Sequence, residues 1–214
     1  MSQESSKQLF WLDNINVDPT LAAVNSGTAN FVTDFLLGDQ MALEVCFKKT
    51  SDFDSGITLV GYCVSDGTQE FNDNLDYRTF FAGSKIYCDC GYGRYEMPFA
   101  DKISWHIIKF PVKIGGVAKP ILDESSAQFT GSGFDASGNF GLVPTPLRIF
   151  DDVRYPENAN QPAAIRYINV WRYGQDKLLA SFWPDKRGGF VDAVSGKVYY
   201  PVAGEVEVKK WEEV

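Results

Sequence analysis

Two carboxylates spaced two residues apart on a strand share one face and can flank a glycosidic bond. Glu205 and Glu207 have that spacing. Val206 separates them and Lys209 and Lys210 follow, so the segment reads as a solvated final strand. The one histidine, His106, falls inside an expected strand, and no G-x-S-x-G elbow accompanies it. A surface or interface side chain is the simpler reading than a catalytic base. Cys88-Asp89-Cys90 places two sulfurs on one strand face, and a zinc ion would need two further ligands. Cys46, Cys63 and His106 are the remaining candidates, but buried free thiols acting as small apolar groups are expected instead. Gly131-Ser132-Gly133-Phe134-Asp135-Ala136 fits the G-x-G-x-x-[GA] spelling, yet no βαβ pattern surrounds it, so it reads as a loop. No catalytic residue is assigned.

Binding residues are a separate matter. Calcium takes loop carboxylates and carbonyls. Asp52 with Asp54, the run Asn72-Asp73-Asn74 with Asp76, and Asp151-Asp152 are oxygen-rich. Asp73 and Asp76 are the metal candidates among them, with solvated loop acids as the alternative. Sugar recognition calls for aromatic faces beside planar polar groups. Tyr92, Arg94 and Tyr95, set around Gly91 and Gly93, form the candidate glycan-binding cluster. Trp105, Trp171 and Trp183 could equally fill a core.

The elements that would hold these residues are almost all strands. Met41, Leu43, Val45 and Phe47 alternate with Glu44 and Lys48, the pattern of a half-buried strand. Ile57 to Val64 is a short apolar run suited to a strand covered on both faces. Tyr77 to Phe81 and Lys85 to Asp89 flank Gly83 as a hairpin. Ile103, Trp105 and Ile107 are expected on one face of a strand that Pro111 turns into an edge. Ile165 to Tyr173 and Leu178 to Trp183 flank the turn-rich Gly174-Gln175-Asp176-Lys177. Pro146 to Phe150, Lys197 to Tyr200 and Glu205 to Lys209 complete the set. Phe31 to Leu37 is expected as one or two helical turns stopped by Gly38. Short antiparallel strands at spacings near ten residues point to an all-β, two-sheet sandwich.

A chain of 214 residues suits one large domain: a polar N-terminal tail over 1–8, a single sandwich over 9–210, and a short tail over 211–214. The net charge of −8 disfavours nucleic acid, which needs a basic footprint, and simple adsorption to anionic membranes. Met1 to Gln8 lacks the apolar region of a signal peptide, so synthesis in a cytoplasm is expected. The run Ile57 to Val64 is too short to span a bilayer, so membrane insertion is not expected.

The C-terminal third carries a more specific pattern. Ser181-Phe182-Trp183-Pro184 is followed by Gly189-Phe190-Val191-Asp192-Ala193-Val194-Ser195-Gly196-Lys197-Val198-Tyr199-Tyr200 and Gly204. The chain resembles a concanavalin A-like (laminin-G-like) jelly-roll module of the type found in gut bacteria and their phages. That family has a "D-F-x-P" strand end, with Ser181 here in the aspartate position, and a "G-x-x-D-x-x-[ST/N]-x-x-x-[FY]-[FY]" segment. Leu12 to Thr20 is similar to the family's opening strand, and Tyr92-Gly93 to its central "Y-G". Asp192, Ser195 and Gly196 stand where a tight turn is required. The resemblance implies a non-enzymatic structural or adhesion module of a phage particle, in capsid decoration, fibre or tail. Its partners would be other virion proteins, host-surface glycans or further copies of itself, and calcium would be its one conceivable cofactor. A carbohydrate-binding module of a bacterial cell surface is the first alternative, and a glycoside hydrolase of the same fold the second.

Overall fold

The computed structural model describes residues 17–37, 41–50, 57–62, 77–82, 84–90, 94–99, 104–112, 120–123, 145–151, 162–172, 174–175 and 177–214. Within them lie fifteen strands. They are β1 (Leu21–Asn25), β2 (Phe31–Leu37), β3 (Met41–Lys49), β4 (Ile57–Tyr62), β5 (Tyr77–Ala82), β6 (Lys85–Cys90), β7 (Arg94–Pro98) and β8 (His106–Val112). The remainder are β9 (Ile121–Leu122), β10 (Thr145–Ile149), β11 (Ala163–Arg172), β12 (Leu178–Asp185), β13 (Gly189–Asp192), β14 (Val198–Tyr199) and β15 (Val206–Lys210). A single 3-10 turn, Trp211–Glu213, follows.

The strands form two antiparallel sheets. The larger runs β14-β13-β12-β11-β3-β8-β9, and the smaller runs β2-β10-β4-β5-β6-β7. β11 anchors the larger sheet. Its whole length pairs with β3, while its opposite edge is divided: Ala163 to Ile165 pair with β1, and Ile168 to Trp171 pair with β12. β15 adds to the far side of β1. The chain crosses repeatedly between sheets, with β2, β4–β7 and β10 in one and the rest in the other. The protein is therefore an all-β, two-sheet antiparallel sandwich.

The core lies between the sheets, where apolar rows from both inner faces meet. Phe31 of β2 meets Phe190 of β13 edge-on at 5.1 Å, and Phe47 of β3 meets Phe81 of β5 at 5.1 Å. Each such fully buried ring contributes about 1.5–3 kcal/mol through removal from water, with a further gain from the edge-on geometry of the Phe31–Phe190 pair. A register irregularity between Thr58 and Val60 lets the consecutive Leu59 and Val60 both join this core.

Several local expectations hold. The hairpin of β5 and β6 pairs Ala82 with Lys85. Gly174 takes φ +70° in the link between β11 and β12, where Arg172 N–H donates to Lys177 O at 2.9 Å. Asp192 also behaves as a turn former. Its Oδ1 accepts from Val194 N–H at 3.1 Å, its Oδ2 accepts from the Ser195 hydroxyl at 2.6 Å, and Gly196 sits at φ +75°. Tyr199 then enters the core while Tyr200 faces out under the Arg187 guanidinium.

One expectation does not hold. Phe31 to Leu37 is strand β2, not helix: it pairs with β10, and Phe31, Thr33 and Leu37 are buried while Asp34 and Leu36 are exposed. Sheet pairing outweighs the weak local helical signal of a seven-residue segment. On β8, His106 and Ile108 face the core and Ile107 faces out. The reason is register: His106 stands opposite Phe47 and Ile108 opposite Val45, both core residues of β3. β9 pairs with Ile108 and Lys109 alone, so Pro111, opposite Ala42, costs no hydrogen bond to a strand beyond it among the described residues.

Candidate functional site

The outer face of the larger sheet is not the solvated surface that alternation implies. Glu44, expected to point to water, is 4% exposed. The register explains its surroundings. Lys109 of β8 stands opposite Glu44 of β3, Glu44 opposite Asn169 of β11, and Asn169 opposite Ser181 of β12. Residues directly opposite one another project from the same face, so four polar side chains form one row across four neighbouring strands. The row is bonded end to end. Lys109 Nζ lies 2.8 Å from Glu44 Oε2, Asn169 Nδ2 donates to Glu44 Oε1 at 3.1 Å, and Ser181 Oγ donates to Asn169 Oδ1 at 2.7 Å. Trp183 Nε1, two residues along β12, donates to Ser181 Oγ at 2.7 Å.

Apolar groups flank the row. Cys46, Tyr167, Trp183, Val191 and Ala193 form a second buried cluster, with Val17, Trp105 and Val198 packed against it. The Tyr167 and Trp183 rings lie 5.1 Å apart at 35°. Burial, and after it the nearby Glu44 charge, pushes the Tyr167 phenol well above its ordinary value, so it stays protonated. Burial likewise pushes the Cys46 thiol up to about 12, which removes its thiolate at neutral pH.

The chemistry available here is donation and acceptance along a fixed row, with Glu44 the only carboxylate in it. Among the described residues the other buried acids are also engaged. Asp192 Oδ1 accepts from Ser181 N–H at 2.9 Å in addition to its turn bonds. Asp151 pairs with Arg148. Replacing Ser181 with alanine strips the Trp183 indole N–H and the Asn169 carbonyl of a partner in a dry setting. We expect a loss of about 1–3 kcal/mol, read as a lower urea midpoint at unchanged m-value.

The residues singled out from sequence distribute differently. Tyr92, Asp73 and Asp76 lie outside the described residues, as do Asp52, Asp54, Asn72, Asn74, Asp152, Cys63 and the Gly131–Ala136 segment. Arg94 and Tyr95 open β7 and pair with Asp89 and Cys88 of β6. His106 packs against Phe47 and Phe99, and its Nδ1 lies 2.6 Å from Asp123 Oδ2. Asp123, at φ 50°, is held to β8 by Ile107 N–H on Oδ1 and by its own N–H on Ile107 O, both at 2.8 Å. Cys46 and Cys88 are both buried, but in different clusters: Cys46 under the outer face and Cys88 in the main core. Among the described residues no three His, Cys, Asp or Glu side chains gather as metal ligands. Glu207 is exposed and pairs with Lys209 at 2.8 Å.

Sequence reasoning missed the row. Each member is a polar residue inside an apolar strand, which was a visible signal, but only register could align them. Trp183 belongs to the outer cluster and Trp105 packs against it.

This two-sheet architecture has a laminin G-like, concanavalin A-like sandwich fold. No family model matches the chain, and no curated protein matches it. Among solved structures it is similar to the mouse laminin alpha1 chain, domains LG4-5, with a TM-score of 0.54 at 14% identity. The match covers 89% of this chain and 47% of that one, so the chain spans about half the length of its structural relative. At that identity the likeness is one of fold.

Proposed function

We propose that the chain is a non-enzymatic structural and adhesion module of a phage particle, in capsid decoration, fibre or tail, that recognises glycans on the host surface. The observation that carries the non-enzymatic part is the state of the buried acids. Glu44 is held by Lys109 and Asn169, Asp192 by three donors, and Asp151 by Arg148. Glycoside hydrolysis needs two carboxyl groups facing each other about 5–9.5 Å apart with room for sugar or water between them. Acids already saturated by structural donors are poorly placed for that work. The sandwich frame supports the adhesion part, since a rigid two-sheet body can present loops from its ends, and repeated copies on a particle would convert weak binding into avidity. The phage setting rests on the sequence resemblance.

The test has two arms. Mass spectrometry of purified particles is expected to find the chain among virion proteins. The full chain, assayed on a polysaccharide panel, is expected to release no reducing sugar while retaining specific spots on a glycan array. Turnover abolished by substituting two facing acids would overturn the non-enzymatic reading. Array binding together with absence from particles would move the module to a bacterial surface system.

A further inference from the structure

The residues after β15 are fastened to the outer face of the larger sheet. Trp211 N–H donates to Thr20 O at 2.8 Å, and Trp105 Nε1 donates to Trp211 O at 3.1 Å. The Arg166 guanidinium lies 4.5 Å from the centre of the Trp211 ring, and Lys48 Nζ donates to Val214 O. Arg166 also holds the other end of the described chain, since its Nε and one terminal nitrogen each donate to Pro19 O at 3.3 Å. One guanidinium on β11 thus touches both the approach to β1 and the exit from β15.

What these bonds secure is the cover of the outer cluster. Val17 and Trp105 are two of the residues packed over Cys46, Tyr167 and Trp183. Val17 leads into the Pro19 carbonyl that Arg166 holds, and Trp105 is held through the Trp211 carbonyl. The fastening itself is slight: no residue of the Trp211–Glu213 turn is buried and no side chain caps its start. A well-buried cluster beneath a lightly held strap is an arrangement that opens locally before the fold does.

We propose that the Trp211–Val214 strap is a latch on the outer face of the larger sheet, and that its release from Arg166, Trp105 and Lys48 uncovers the Tyr167–Trp183–Cys46 cluster while the sandwich stays folded. The two buried thiols provide the reporter and its control. Cys46 belongs to the cluster that Val17 and Trp105 cover, whereas Cys88 lies in the main core between the sheets.

The experiment is native-state alkylation with iodoacetamide, followed residue by residue by mass spectrometry, on the wild-type full chain and on Trp211→Ala and Arg166→Ala. In the wild type, Cys46 is expected to react faster than Cys88, with a weaker dependence on added urea. Each substitution is expected to speed Cys46 labelling by about tenfold or more while Cys88 labelling is unchanged. Arg166→Lys, which keeps the charge but loses the planar stack and the paired donation, is expected to fall between. Equal acceleration of both thiols would show that the strap belongs to the global cooperative unit and would overturn the latch. So would no acceleration of either. If a variant does not fold, the wild-type comparison decides, and identical rates and urea dependence for Cys46 and Cys88 reject the proposal.

Discussion

Gly204→Ala is expected to remove about 4 kcal/mol of stability, close to the whole margin of a marginally stable domain. Gly204 has φ +66°, a conformation that costs an L-residue about 1–2 kcal/mol. Space adds the larger part. A β-carbon there would lie 2.0 Å from the Thr28 carbonyl oxygen and 2.3 Å from its carbon. Both are backbone atoms, so no side chain can swing aside. The corner between β1 and β2 must move, and with it the Asn30–Ala203 bridge, where Asn30 N–H donates to Ala203 O at 3.1 Å and Val202 N–H to Asn30 O at 2.9 Å. Each backbone bond lost from that bridge costs about 1 kcal/mol. Urea unfolding of both proteins measures the difference. Gly174→Ala is the control: φ there is +70°, but nothing lies within 4 Å of the added carbon, so about 1–2 kcal/mol is expected. Equal losses at the two glycines would mean that the contact with Thr28 carries no cost.

The second large effect lies at the same corner. Asn25 closes β1 and is fully buried. Its Oδ1 accepts from the backbone N–H groups of Gly27 at 2.9 Å, Thr28 at 3.0 Å and Ala29 at 3.0 Å, and its Nδ2 donates to Ala29 O at 3.0 Å. One side chain therefore takes the place of a strand partner through the turn. Asn25→Ala leaves three donors and one acceptor without it, at about 1 kcal/mol each, so a loss of about 3–4 kcal/mol is expected. The melting temperature and urea midpoint should both fall, with hydrogen exchange at Gly27 to Ala29 rising most. A loss below about 1 kcal/mol would show that water replaces the amide freely at this corner. Because a β-carbon at position 204 would press on Thr28, the double variant is expected to lose less than the sum of the two, a coupling that a double-mutant cycle reads directly.

Much of the strand inventory was legible because it depends on neighbours along the chain. Alternation through Leu43, Val45 and Phe47 marked β3, and Gly83 and Gly174 marked turns. Asp192 with Ser195 and Gly196 marked a corner that forms with the side-chain bond and the positive φ expected of them. Phe31 to Leu37 was misread because seven residues carry little local preference, and β10 rather than the segment itself determined its state. The facing of β8 has the same origin. Ile103, Trp105 and Ile107 alternate correctly in sequence, but β3 fixes which face meets the core, and a one-residue choice reverses every side chain.

The candidate site shows the division most clearly. By itself the sequence determined that Glu44, Asn169 and Ser181 are polar residues inside apolar strands, and that the strands are antiparallel and sandwiched. Their alignment as one bonded row from Lys109 to Trp183, and the packing of Val17 and Trp105 against the cluster that contains Trp183, were decided only by the tertiary structure. Local patterning records the period of a strand and the chemistry of a turn, which arise within a few residues. Register and cover join segments far apart in sequence, 125 positions between Glu44 and Asn169, and they are chosen by the packing of the whole sandwich.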